Sequence, residues 1–124
     1  MSNKSRFFSL ANYRDRRVAQ EVLKEVNDIL QKKVRDPRVQ NVTITDVHVT
    51  GDLQQATIYY STLSDASEEK ETAQLGLEKA TGLIRGELGH RLSIYKTPEI
   101  MFERDESVEY GNKIDEMIRK LNDQ

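Results

Sequence analysis

From Val18 onward, apolar residues recur at helical spacing. Val18, Val22, Leu23, Val26, Ile29, Leu30 and Val34 form one stripe, and Arg14, Arg17, Lys24, Lys32 and Arg35 lie off it. This predicts a first helix with Asp15 as its N-cap. The helix ends at Asp36-Pro37, because proline disfavours a helical conformation at the residue before it. Residues 1–12 show no period and read as a mobile N-terminal arm, leaving a single domain over 13–121. Beyond Pro37 the period changes to two. Val42 and Ile44, then Val47 and Val49, alternate with polar residues, and the phase slips at Thr45-Asp46, which predicts a bulge or bend. Gly51-Asp52 is a turn signal. Ala56, Ile58 and Tyr60 then alternate with Thr57, Tyr59 and Ser61 to complete a hairpin.

Helical spacing returns with Leu77, Ala80, Leu83, Ile84, Leu88 and Leu92, in a helix whose cap is expected at Ser67. Gly82, Gly86 and Gly89 stand inside this pattern. Each costs a helix roughly 1 kcal/mol relative to Ala. A helix carrying that cost bends, or lets another backbone come close. The expectation is a helix, a break at Ala80-Thr81-Gly82, and a second helix. Pro98 then opens a third strand, where Ile100 and Phe102 alternate with Met101 and Glu103. Ser107 caps a final helix with Ile114, Met117, Ile118 and Leu121 as its stripe. The order helix–strand–strand–helix–kink–helix–strand–helix predicts an α+β fold: a small three-stranded mixed sheet, a right-handed crossover, and helices packed on one sheet face.

Composition narrows the function classes. The 124 residues suit one domain with its own core. Cysteine and tryptophan are absent and only two histidines occur, so neither a disulfide framework nor a Cys- or His-rich metal centre is expected. No apolar run reaches the length of a membrane span, and Phe7, Phe8 and Leu10 are followed at once by Arg14, Asp15, Arg16 and Arg17, unlike a signal peptide. A cytoplasmic chain without membrane contact is expected. The net charge is −2, but residues 1–38 carry a local +5 and the remaining 86 residues a local −7. Such polarity can orient a protein on an anionic surface; it is equally what a solvated helix face looks like.

Catalytic chemistry finds little support. No G-x-x-x-x-G-K-[ST] or G-x-S-x-G segment is present. His48 falls in a strand and His90 among charges, and Glu68-Glu69 and Asp105-Glu106 lack an apolar setting that would raise a carboxyl pKa. Tyr59 and Tyr60 point to opposite sheet faces, where good strand formers are a better account than base stacking.

The element order with its kinked helix pair resembles a type II KH domain. Arg17-Val18-Ala19, Asp36-Pro37-Arg38, Ala80-Thr81-Gly82-Leu83-Ile84-Arg85 and the segment from Pro98 to Ser107 stand in an order similar to the bacterial ribosome-binding factor A family, over residues 14–118. The resemblance implies a non-enzymatic factor, without cofactor, that binds the small ribosomal subunit and its ribosomal RNA. It further implies help with late 16S rRNA folding and processing, particularly in the cold, and a partner GTPase as a means of release. A monomer is expected. The resemblance gives Ala80-Thr81-Gly82 the role of the kink that replaces a G-x-x-G clamp. Gly86-Glu87-Leu88-Gly89 is discounted as such a clamp, since Leu88 is needed in the core and Glu87 repels phosphate. No tail function is carried over, because the sequence stops at Gln124 without a basic tail.

The basic residues fit RNA binding. Arg14, Arg16 and Arg17 at the start of the first helix, Lys32, Lys33, Arg35 and Arg38 at its end, and Lys79, Arg85 and Arg91 around the kink are the candidate phosphate contacts. Arg17 and Arg38 can instead tether the helix, and Arg85 has the strongest claim to a structural role. Two other classes stay open: a small α+β enzyme, and a protein-binding adaptor using the acidic second half.

Overall fold

The computed structural model describes residues 2–63, 66–92, 94, 96–106 and 117–122. Its elements are α1 (Ser2–Lys32), a 3₁₀ turn (Pro37–Val39), β1 (Thr43–Val49), β2 (Gln55–Ser61), α2 (Ser67–Arg91) and β3 (Glu99–Arg104), with residues 117–122 again helical. The sheet order is β1-β2-β3; β2 pairs antiparallel with β1 and parallel with β3. The α+β mixed sheet expected from the pattern is therefore present.

One face of that sheet is apolar because the strands alternate in register. Val47, Ile58 and Phe102 form a cross-strand row, and Ile44 pairs with Tyr60 beside it. All five are buried. The stripe Val18, Val22, Val26, Ile29 and Leu30 of α1 and the residues Ala73, Leu77, Ile84 and Leu88 of α2 close over this face in a single core. Alternate residues His48, Met101 and Glu103 are exposed on the opposite face.

The phase slip at Thr45 is a bulge, with register shifting between Ile44 and Asp46. Asn27 of α1 satisfies the backbone there: Ile44 N–H donates to its Oδ1 at 3.0 Å, and its Nδ2 donates to the Ile44 carbonyl at 3.4 Å. Asn27→Ala is expected to cost about 1–3 kcal/mol in chemical denaturation, since both partly buried groups of Ile44 lose their partner.

Four expectations are corrected. First, α1 begins at Ser2, so Asp15 is an interior helix residue rather than a cap. Second, α1 stops at Lys32, where Lys33 and Val34 N–H both donate to the Ile29 carbonyl. Asp36 caps the 3₁₀ turn instead, accepting from Arg38 N–H. Third, Ser67 is the first residue of α2, and the capping position, Ala66, makes no side-chain hydrogen bond. Fourth, α2 is one helix. Its hydrogen bonding runs through Ala80-Thr81-Gly82 without a break, and none of its glycines has positive φ. Thr81 Oγ1 donates back to the Leu77 carbonyl at 2.9 Å, a contact that bends helices without interrupting them. In the final helix, Ser107 and Ile114 lie outside the described residues. Met117, Ile118 and Leu121 are exposed rather than packed.

Candidate nucleic-acid interface

Two contacts tie α2 to α1 and to the turn that follows it. Arg91, in the last turn of α2, donates from Nη1 to Glu25 at 2.9 Å and to Asp28 at 2.6 Å. At the far end, Gly76 lies against Arg38 and Val39, where a Cβ would sit 2.9 Å from Val39 Cγ1 and 3.0 Å from Arg38 Cβ. Lys32 Nζ is 3.0 Å from the other oxygen of Asp28, which places it on the α2 side of α1. Lys79, one turn beyond Gly76, acts electrostatically on Asp36. Lys32 and Lys79 thus flank the α1–α2 seam, and Lys33 and Arg35 are exposed at the end of α1.

Three of the ten candidate cations are held inside the fold. Arg38 grips Asp36 from Nε and Nη2, and Arg91 ties the helices together. Arg85 donates from Nε to the Pro98 carbonyl at 3.1 Å and from Nη2 to the Thr97 carbonyl at 3.0 Å, with Glu99 at 3.2 Å, which fixes the approach to β3. The hydrogen bonds from Arg91 and then from Lys32 hold the Asp28 carboxyl below its usual range. Those from the Arg38 guanidinium, and then from its N–H, lower Asp36 from 3.8 to about 2.

A depressed carboxylate stabilises the fold above its unfolded pKa and loses that contribution as pH falls through the folded value. Asp36→Asn is therefore expected to lower the melting midpoint at neutral pH, with the gap to the parent chain closing between pH 3.8 and about 2. Thermal melts at several pH values check this. A constant gap over that range would mean the charge of Asp36 is not what stabilises the turn.

The outward strip of α2 is smooth. A Cβ at Gly82 or Gly86 would meet nothing within 4 Å. These glycines, with Arg85, Gly89, Lys96 and Thr97, line an open groove of about 470 Å³. Only at Gly89 is there close approach, with Thr97 Oγ1 2.9 Å from the ideal Cβ. A strip without side chains lets a sugar–phosphate backbone approach, and exposed cations on both sides, Lys79 and Lys96, supply charge. Lys96 escapes a reading by pattern, because a single lysine in a loop has no period; Arg85, by holding the Thr97 and Pro98 carbonyls, positions it. Leu88 is buried and Glu87 pairs with Arg91 at 3.7 Å, so the Gly86–Gly89 segment does not present a clamp.

Arg14, Arg16 and Arg17 are exposed, and Arg17 makes only a loose pair with Glu21 at 3.9 Å. They stand apart from the Lys32–Arg35 group by roughly 25 Å at 1.5 Å rise per residue. Arg16 faces Asp46 and Val47 on β1 rather than α2. On the open sheet face, Tyr59 sits between Asp46 and Glu103 in register, and these carboxylates would repel the phosphate of a stacked nucleotide. His48 and His90 are exposed. Among the described residues no His, Cys, Asp and Glu group could hold a metal ion, and no helix is long and apolar enough to cross a membrane.

The family model described as ribosome-binding factor A matches residues 14–118. Ribosome-binding factor A of Enterococcus faecalis is 74% identical over 113 residues, covering 91% of this chain and 97% of that protein. The Ligilactobacillus salivarius protein of the same name is 66% identical over 110 residues, covering 89% and 92%. Among solved structures, a Thermotoga maritima protein described as a putative ribosome binding factor A shares 32% identity with a TM-score of 0.66, covering 74% of this chain and 87% of that one. A Thermus thermophilus ribosome binding factor A homology model, fitted into a cryo-electron microscopy map of a 30S complex, has a TM-score of 0.59 at 17% identity, covering 71% and 91%; at that identity the likeness is one of fold.

Proposed function

The chain belongs to the ribosome-binding factor A family, and from that membership we propose that it binds the small ribosomal subunit through ribosomal RNA, as a KH-like maturation factor acting by binding without catalysis. The observation that carries the RNA contact is the glycine strip Gly82–Gly86 on α2, flanked by Lys79 and Lys96, beside the exposed cationic end of α1. Backbone approach at the strip and charge around it are what phosphate recognition needs, and neither demands a basic protein overall.

Such a factor works by binding an immature RNA conformation more tightly than the mature one, which shifts the population toward the state it prefers. The family extends the proposal to late folding and processing of 16S rRNA and to growth in the cold. Release then follows completion of folding or the action of a partner GTPase. We assign the chain to the cytoplasm as a monomer.

Co-sedimentation with 30S subunits over a salt series tests the reading. Six phosphate contacts give a log–log slope of roughly −4 to −5, and total RNA competes for the chain. A flat salt response with indifference to RNA would point to a protein-binding adaptor instead.

A further inference from the structure

A second groove is lined, among the described residues, by none from α2. It has a volume of about 810 Å³ and is bounded by the last turns of α1, the segment 39–43 and Leu63. That is within the range of about 300–1,000 Å³ typical of small-ligand clefts. Its lining is mixed, with more polar than apolar surface. The apolar part comes from Leu30 and Val39, which are buried, Val34 and Val42, which are half-buried, and Leu63, which is 82% exposed at the rim. Gln31, Gln40 and Asn41 stand exposed among them. Asn27 also reaches the groove, but both ends of its amide are committed to Ile44.

The charges are one-sided. Among the described residues, no Asp or Glu lines this groove. Among the described residues its one ionised side chain is Arg35, exposed, unlike the internally paired Arg38 three residues on. Lys33, two residues earlier, is also exposed.

An apolar patch, a set of carboxamides and one cation suit a particular ligand. A nucleobase is flat and uncharged, and presents donors and acceptors along its edges. A carboxamide offers both, and pairs with those edges in two-point fashion. The base faces need only apolar side chains to lie against. The phosphate that accompanies each base needs a cation within one nucleotide's reach, which Arg35 supplies.

We infer that the groove between the end of α1 and the start of β1 holds an unpaired base of single-stranded RNA, with Gln31, Gln40 and Asn41 on the base edge and Arg35 on the adjoining phosphate. The inference rests on the RNA-binding reading above and adds to it a site that distinguishes single strand from duplex. A duplex buries its base edges and cannot insert a base here.

Fluorescence anisotropy with two labelled ten-nucleotide RNAs tests it: one with all its bases, one of equal charge with abasic positions at its centre. The unaltered chain is expected to bind the base-bearing strand about tenfold or more tightly. Gln31→Leu with Asn41→Leu is expected to erase that preference, and Arg35→Ala to weaken both strands. Side-chain amide signals of Gln31, Gln40 and Asn41 in the unaltered chain should shift only with the base-bearing strand, a readout that does not depend on the variants folding. Equal affinity for both strands, or a preference that survives the double substitution, would overturn the base site and leave phosphate-led binding standing. Failure of the unaltered chain to bind either strand or 30S subunits would overturn the parent reading.

Discussion

Gly76→Ala is expected to destabilise the chain and Gly82→Ala to stabilise it, although the two glycines lie less than two turns apart in α2. Alanine gains about 1 kcal/mol over glycine in a helix interior, so that term favours both substitutions equally. The surroundings reverse the sign at one of them. A Cβ at Gly76 meets Val39 Cγ1 at 2.9 Å and Arg38 Cβ at 3.0 Å. Neither neighbour can yield cheaply. Val39 is buried in the core, and Arg38 is held by Asp36 through side chain and backbone. Overpacking of this kind costs about 1–3 kcal/mol, which exceeds the propensity gain, and Gly76→Val adds two further methyls to the same clash.

At Gly82 the added methyl meets nothing within 4 Å, so a gain of about 0.5–1 kcal/mol is expected. Urea midpoints at constant slope measure both. If Gly76→Ala raised the midpoint as Gly82→Ala does, the contact between α2 and the 3₁₀ turn would be soft and would not fix the helix pair. The Gly82 variant carries a second expectation: greater stability with weaker 30S binding, because its methyl occupies the space a phosphate backbone would use.

Most of the fold was legible because its signals are local. The period-two runs give β1, β2 and β3, and even the slip at Thr45-Asp46 reads directly as the bulge. The helix ends were not, since the residues that resemble caps do other work. Asp15 lies inside α1, beside Gly51 of the hairpin turn, and Asp36 caps a 3₁₀ turn that the pattern does not announce. The glycines misled for a related reason. Propensity treats Gly82, Gly86 and Gly89 as equal defects, but only tertiary contacts reveal which glycine is required. Gly76, between Leu75 and Leu77, carries no sequence signal, yet it is where α2 packs directly against the 3₁₀ turn.

The candidate site shows the same division. Sequence places cations along the chain; it does not say which are already engaged. Arg38, Arg85 and Arg91 each find acceptors two to 66 positions away, and the distant ones cannot be seen without the fold. What remains exposed is more compact than the original set: Lys32, Lys33 and Arg35 at one end of α1, with Lys79 and Lys96 on either side of the α2 strip.

Reversing that end of α1, with Lys32, Lys33 and Arg35 each changed to Glu, is expected to weaken 30S binding by about a hundredfold near 0.1 M salt. Each phosphate contact contributes about 0.7–0.9 to the log–log salt slope, so three contacts supply roughly two log units there and the slope should flatten by about 2–3. The fold should not suffer. Among the described residues the side-chain interaction lost is the largely solvated Lys32–Asp28 pair, and such pairs contribute about 0–1 kcal/mol. An unchanged circular dichroism spectrum would confirm that binding, not folding, was altered. The same reversal at Arg14, Arg16 and Arg17 changes the net charge equally but acts at the other end of α1. If both triplets weakened binding alike, overall charge would govern association and the α1–α2 seam would have no special role. If only the first did, the contact is local, and the end of α1 lies against the RNA.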